Sequence, residues 1–183
     1  MNQMLLITYC LFLSASAFAF TNYVWQGSPS PVSPFDTWAT AAHSIQEAVD
    51  VAVEWDVVLV ADGEYNVEDP IVIATNYITV KSVNGSAETT VDADFKSSCF
   101  SLFGNSVIEG FLIRNGKLAS GFGAGVYIFN YGSVVNCLIT NNSAPSSSGG
   151  GVYCGENSLL FNCQIKGNDA MWGGVFFPKQ IVL

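Results

Sequence analysis

A few side chains in this sequence are equipped for chemistry, and their spacing says what kind. Asp92 and Asp94 stand two apart, so on a strand both point to one side. Such a pair supplies oxygen ligands for calcium or two carboxyls for acid–base work; a solvated corner is the competing reading. Arg114 and Lys166 are 166 − 114 = 52 residues apart, with Thr140 midway, and Tyr127 and Tyr153 are 153 − 127 = 26 apart. The two cations can face an acidic sugar or plain solvent. The two tyrosines can stack on sugar rings or serve in the core. Trp172 and the pair Leu112 and Leu138 are further candidates for such a contact surface. Glu109 has no second carboxyl at the equivalent positions Val135 and Phe161. His43, the single histidine, precedes a helix start and reads as a surface residue. No catalytic set can be assigned from these groups.

These residues are positioned by a repeat. Val134–Asn142 (VVNCLITNN) returns as Leu160–Asn168 (LFNCQIKGN), 163 − 137 = 26 residues on for the cysteines. A third copy lies the same distance upstream as Ile108–Gly116 (IEGFLIRNG), and Gly123-Ala124-Gly125-Val126-Tyr127 likewise becomes Gly149-Gly150-Gly151-Val152-Tyr153. A fixed period of this length marks a solenoid. Within a copy, apolar residues alternate rather than recur at three and four, which argues for strands over helices. Phe111, Cys137 and Cys163 share one position, and Ile113, Ile139 and Ile165 another; both columns are expected inward. Leu112, Leu138 and Gln164, then Arg114, Thr140 and Lys166, are expected outward. Strands stacked in parallel about 4.8 Å apart place each side chain over its equivalent. Such columns gain roughly 1.5–3 kcal/mol per large apolar side chain buried. Asn115-Gly116, Asn141-Asn142 and Gly167-Asn168 then form corners, because Asn and Gly tolerate left-handed backbone. Stacked amides can also bond one another.

From roughly Ala39 to Phe177 the chain resembles the right-handed parallel β-helix proteins of the pectin-lyase-like superfamily. The Gly-Gly-Gly-Val-Tyr element followed by Ile-x-x-Asn (Ile139–Asn142, Ile165–Asn168) is similar to the repeats of bacterial polymorphic outer-membrane proteins. The resemblance implies an all-β fold: a right-handed parallel β-helix (solenoid) with an N-terminal capping α-helix. It leaves the function class open, since that superfamily holds lyases, hydrolases and adhesins alike. Its polysaccharide lyases hold calcium through clustered Asp residues, which is the resemblance-based reason to consider Asp92 and Asp94 as metal ligands.

Taken in order, residues 1–19 read as a signal peptide. Leu5, Leu6, Ile7, Leu11, Phe12 and Leu13 make an apolar run short for a membrane span, and Ala17-Phe18-Ala19 is a small-x-small cleavage site. Against this, no Lys or Arg precedes the run. Residues 20–38, with Pro29, Pro31 and Pro34, read as an extended linker. Residues 39–62 read as the cap and first strand. Ser44-Ile45-Gln46-Glu47 is a capping box opening a helix over Ser44–Ala52, with Ile45, Ala48, Val49 and Ala52 as its apolar stripe; Val57–Val60 is a strand. Residues 63–183 read as coils. The glycine element after Asn168 arrives early, at 175 − 152 = 23, and no polar terminal cap follows. Either the chain is truncated there or another chain covers that end.

Of the 183 residues, 50% are hydrophobic and 11% charged, with a formal net charge of −9. That charge argues against nucleic acid as a partner. It is also lopsided: 12 Asp and Glu against one Lys up to Asp94, then 3 against 5 Lys and Arg. Four cysteines lie beyond the signal segment: Cys99, Cys137, Cys154 and Cys163. A secreted protein can oxidise them, and Cys137 and Cys163 sit one coil apart within disulfide reach. Inward thiols acting as small hydrophobes are the favoured reading. The expected protein is a secreted or cell-surface (extracellular or outer-membrane) module, adhesin-like or structural. Its expected ligand is polysaccharide, with no membrane span after signal cleavage and calcium as the one cofactor considered. The alternative is a polysaccharide lyase or glycoside hydrolase, or an inactive fragment of one, acting on acidic polysaccharide.

Overall fold

The computed structural model describes residues 19–176. All but the last residue of the expected signal peptide, and the segment after Phe176, lie outside that range. The strands are short because a corner follows each. In chain order they are β1 (Thr21–Val24), β2 (Val57–Val60), β3 (Gly63–Asn66), β4 (Ile71–Ile73), β5 (Thr79–Ser82) and β6 (Thr89–Asp92). Then come β7 (Phe100–Leu102), β8 (Val107–Glu109), β9 (Leu112–Arg114), β10 (Val126–Asn130), β11 (Ser133–Val135) and β12 (Leu138–Thr140). The last are β13 (Ser143–Ser148), β14 (Val152–Glu156), β15 (Leu159–Phe161), β16 (Gln164–Lys166), β17 (Asp169–Trp172) and β18 (Val175–Phe176). A single α-helix among the described residues, α1 (Ile45–Val51), lies between β1 and β2.

Every strand pair is parallel, and each strand pairs with its counterpart one turn away. This produces three long sheets: β1-β2-β5-β8-β11-β15, β3-β6-β9-β12-β16 and β4-β7-β10-β14-β18. The pair β13 and β17 forms a separate short ladder. The chain is therefore a parallel β-solenoid of about five turns.

The core is the set of inward columns. Ile139 pairs in register with Ile113 on one side and Ile165 on the other; Ile113 and Ile139 are fully buried. Phe111 and Cys137 are buried, as expected for their column, and Cys163 packs against them half-buried. The other two sheets contribute Val58, Val80, Ile108 and Val134, and Ile71, Phe100, Val126 and Val152. Burial of each large member stabilises by roughly 1.5–3 kcal/mol.

The corners are left-handed columns. Asn115, Asn141 and Gly167 have φ of 57°, 57° and 64°, and Gly110, Asn136 and Asn162 have 78°, 53° and 51°. Their amides stack: Asn141 Nδ2 donates to Asn115 Oδ1 at 2.5 Å, and Asn162 Nδ2 to Asn136 Oδ1 at 2.7 Å. Asn142 is the buried member of this system. Its Oδ1 accepts from the Gly116 N–H at 2.7 Å, and its Nδ2 lies 3.0–3.2 Å from Ile113 O, Thr140 O and Asn168 Oδ1.

Ser44 caps α1 with Glu47 reciprocating, as the capping box requires, and Ile45, Ala48 and Val49 are buried beneath it. Gln46 meets the edge strand β4: Val72 N–H donates to its Oε1 at 2.7 Å and its Nε2 donates to Val72 O at 3.2 Å. Part of the expected linker 20–38 is not linker. Thr21–Val24 form β1, in register with Val57–Val60, and Val24 is fully buried. The prolines that suggested an extended segment lie after this strand.

Candidate functional site

The largest cluster of outward aromatics lies on the sheet β4-β7-β10-β14-β18. In β10 the inward residues are Val126 and Ile128, both fully buried. Alternation therefore turns Tyr127 and Phe129 outward. Tyr127 pairs with Tyr153 and Tyr153 with Phe176, so the rings form a file along the stack. Ring centroids are 5.5 Å apart for Tyr127 and Tyr153 and 5.4 Å for Tyr153 and Phe176. Phe122, from the glycine-rich loop, lies 4.6 Å from Tyr153, and Phe103 lies 5.9 Å from Phe129. Phe122 and Phe129 are about half exposed. Partial burial, with the Tyr153 ring beside it, pushes the Tyr127 hydroxyl above its ordinary pKa.

A cleft of about 260 Å³ opens in this face between Tyr127, Phe129, Asn130, Tyr153, Gly155 and Glu156. Its shape depends on Gly155. A Cβ there would strike the Phe129 carbonyl oxygen, so only glycine lets β14 lie this close to β10. One consequence is that no side chain stands over Phe129 in the next turn. Asn130 and Glu156, in register at the strand ends, supply polar groups at the rim. Stacking rings beside a few polar groups is a surface suited to the apolar face of a sugar.

The other expected residues fall elsewhere. Asp92 and Asp94 do not share a face, because β6 ends at Asp92 and Asp94 has a left-handed φ of 47°. Asp92 is buried and fully engaged. Its Oδ2 accepts from Arg114 Nε at 2.6 Å, both its oxygens accept from Asn115 Nδ2, and its Oδ1 accepts from the Asp94 N–H at 2.8 Å. Burial alone would push its carboxyl up; these bonds outweigh that and hold it below the ordinary carboxylate value. Asp94 instead reaches Lys96 at 3.4 Å. Among the described residues no three of His, Cys, Asp and Glu gather as a metal site requires.

Arg114 also bonds Glu64 at 3.0 Å, so its guanidinium is spent within the protein. Thr140 stands between it and Lys166, one turn from each. Leu112 and Leu138 face outward half-buried. Trp172 is exposed but belongs to the outer ladder, opposite Ser148. Glu109 pairs with Lys81 at 3.3 Å beside a polar groove of about 490 Å³ that also holds Asn136, Asn162 and Gln164. His43 Nε2 meets Ser28 O at 3.0 Å, a structural contact. Among the described residues Cys99, Cys137, Cys154 and Cys163 are free thiols.

Of the rings on this face, the sequence singles out Tyr127 and Tyr153 but not Phe103, Phe122 or Phe129. Two of these carried a usable signal. Phe129 is two residues beyond Tyr127, and Phe103 is 129 − 103 = 26 residues before it. Comparison of the chain with protein-family models, with curated proteins and with solved structures gives no match.

Proposed function

We propose that this protein is a right-handed parallel β-helix module of the pectin-lyase-like kind, with repeats like those of polymorphic outer-membrane proteins. In this reading α1 is its N-terminal lid and Gln46 blocks the β4 edge against further strand pairing. The module is secreted or held at the cell surface and binds carbohydrate without turning it over. The observation that carries this reading is the aromatic file Tyr127–Tyr153–Phe176, flanked by Phe122 and Phe129 and opening on the Gly155 cleft. Rings spaced along the stack axis suit an extended chain of sugars laid parallel to that axis.

Calorimetry against soluble polysaccharides tests it. Binding to a neutral β-linked glucan is expected, with Phe129→Ala weakening it roughly tenfold while the melting curve is kept. Unchanged binding in Phe129→Ala and Tyr153→Ala would overturn the assignment of the face. The lyase alternative is addressed in the same sample: a steady rise in ultraviolet absorbance on polygalacturonate with calcium would replace binding by catalysis. Arg114 supports the non-catalytic reading, because Asp92 and Glu64 already engage it.

A further inference from the structure

A second cavity, of about 310 Å³, lies at the other end of the molecule between Trp25, Trp38, Ala61, Asp62, Val83 and Asn84. Two indoles share it, and both are held in place while remaining over a third exposed. Trp25 sits in a turn in which its N–H donates to Ala42 O at 2.8 Å and its carbonyl accepts from the Ser28 N–H at 3.0 Å. Its ring lies over Gly27, where a Cβ would come within 3.0 Å of the indole. Trp38 opens the short 3-10 turn Trp38–Thr40, which Thr37 caps. Its ring meets Tyr23 edge-on at 4.6 Å. Neither ring has to be ordered by a ligand, which lowers the entropic cost of binding.

The rest of the wall is apolar save for Asp62 and Asn84, and these two are tied together: Asn84 Nδ2 donates to Asp62 Oδ2 at 2.8 Å. The half of the chain that builds this cavity is strongly negative. Up to Asp94 the chain has 12 carboxylates and one lysine, Lys81. That lysine is paired with Glu109, and the other cations in contact with this region's carboxylates are paired as well, Arg114 with Asp92 and Glu64 and Lys96 with Glu68 and Asp94. Exposed indole faces attract cations through the ring quadrupole. A carboxylate at the wall, in a negative field, excludes anions and favours cations. A primary ammonium would need three acceptors for its N–H groups, and the cavity wall offers mostly carbon. A cation clothed in methyl groups meets all of these conditions.

We propose that the Trp25–Trp38–Asp62 cavity binds a small quaternary ammonium ion of the choline type. This site is separate from the aromatic face on β10 and β14, and its ligand is charged where that of the face is not.

The test is calorimetric titration of the full chain with choline and, in parallel, with 3,3-dimethylbutan-1-ol, which has the same shape and no charge. Choline is expected to bind at least roughly tenfold more tightly than the alcohol and to weaken as salt rises. Trp38→Ala and Asp62→Asn are expected to lose this preference while glucan binding by the aromatic face is kept. Equal binding of choline and the alcohol would overturn the proposal, because the cavity would then read shape alone. Absence of choline binding up to concentrations on the order of 10 mM would also overturn it. The comparison of the two probes is made on the unaltered protein, so it decides the matter even where a variant fails to fold.

Discussion

The solenoid has two halves built on different principles. From β8 to β16 the chain advances 26 residues per turn, 133 − 107 and 159 − 133 for the first sheet, and the step from β14 to β18 is shorter, at 175 − 152 = 23. Before β8 the first sheet advances 79 − 57 = 22 and then 107 − 79 = 28. In the regular half, like stands over like, and the Asn corners repeat with the strands. In the irregular half, register is fixed by individual polar clamps. Asp56 Oδ1 accepts from the Phe20 N–H and its Oδ2 from the Val53 N–H. Ser82 and Thr89 hydroxyls meet at 2.7 Å in the interior, and Gln46 ties α1 to β4. The lesson is that parallel stacking does not require periodicity. It requires only that inward columns stay apolar and that each corner's polar groups find partners, whether by repetition or one at a time.

The most damaging single change should therefore be one that opens a column with neighbours on both sides. Ile139→Ala removes a fully buried side chain between Ile113 and Ile165. It is expected to cost about 2–5 kcal/mol, read from denaturant melts. A loss under about 1 kcal/mol would mean that the regular half is not supported by its columns.

Next in size is the corner. Asn142→Ala takes the acceptor from the buried Gly116 N–H and the donor from the buried Ile113 carbonyl and the half-buried Thr140 carbonyl, at about 2 kcal/mol. The adjacent Asn141→Ala removes one exposed amide contact and a left-handed preference, and is expected to cost about half as much. If the two were equal, the buried amide ladder would have no special part in register.

This contrast also explains what could be read from the sequence. The period, the inward columns Ile113–Ile139–Ile165 and the Asn corners were legible because each residue's environment is a copy of its neighbour's. The capping box at Ser44 was legible because it is local. The strand Thr21–Val24 was not, since its partner Val57–Val60 lies 36 residues away and nothing nearby in sequence announces the pairing. A strand running through both Asp92 and Asp94 would put them on one face. The chain instead turns after Asp92, and the carboxyl is captured by Arg114 from the following turn. On the aromatic face, Tyr127 and Tyr153 were visible through the repeat. Phe122 was not, because a loop carries it there. Trp25 and Trp38 meet Asp62 only through the winding of the chain, so their cavity has no sequence signature.

The irregular half should be the acid-sensitive one. Asp92 is held below its ordinary value, so the folded protein takes up this proton less readily than the unfolded chain. Its stabilising contribution is complete above the unfolded value, about 3.9, and is lost as pH falls from there through the lower folded value. Asp92→Asn is expected to cost about 1 kcal/mol at neutral pH, allowing for the 34% exposure of Arg114. Below about pH 4 its melting temperature should fall less steeply than that of the unaltered protein. Parallel slopes would show that other carboxylates carry the acid sensitivity.

The smallest effect costs no stability and runs along the stack. Cys99, in the turn that joins the two halves, is sealed: it is fully buried, its thiol donates to Arg114 O at 3.3 Å, and burial pushes its pKa far up. Burial likewise pushes Cys154 up to about 12. Cys163 belongs to a later turn and is only half-buried. Its contact with the Cys137 thiol draws it below the ordinary thiol value against the opposing effect of burial, while the same contact pushes Cys137 up. Thiolate is the reactive form. Among Cys99, Cys137, Cys154 and Cys163, iodoacetamide should therefore label Cys163 first in the folded chain, at a rate that rises with pH and levels at a lower pH than for an ordinary thiol. The other three thiols should wait for unfolding. Labelling of Cys99 at a comparable rate would show that the junction between the halves opens as readily as the later turns, and would erase the difference in order between them.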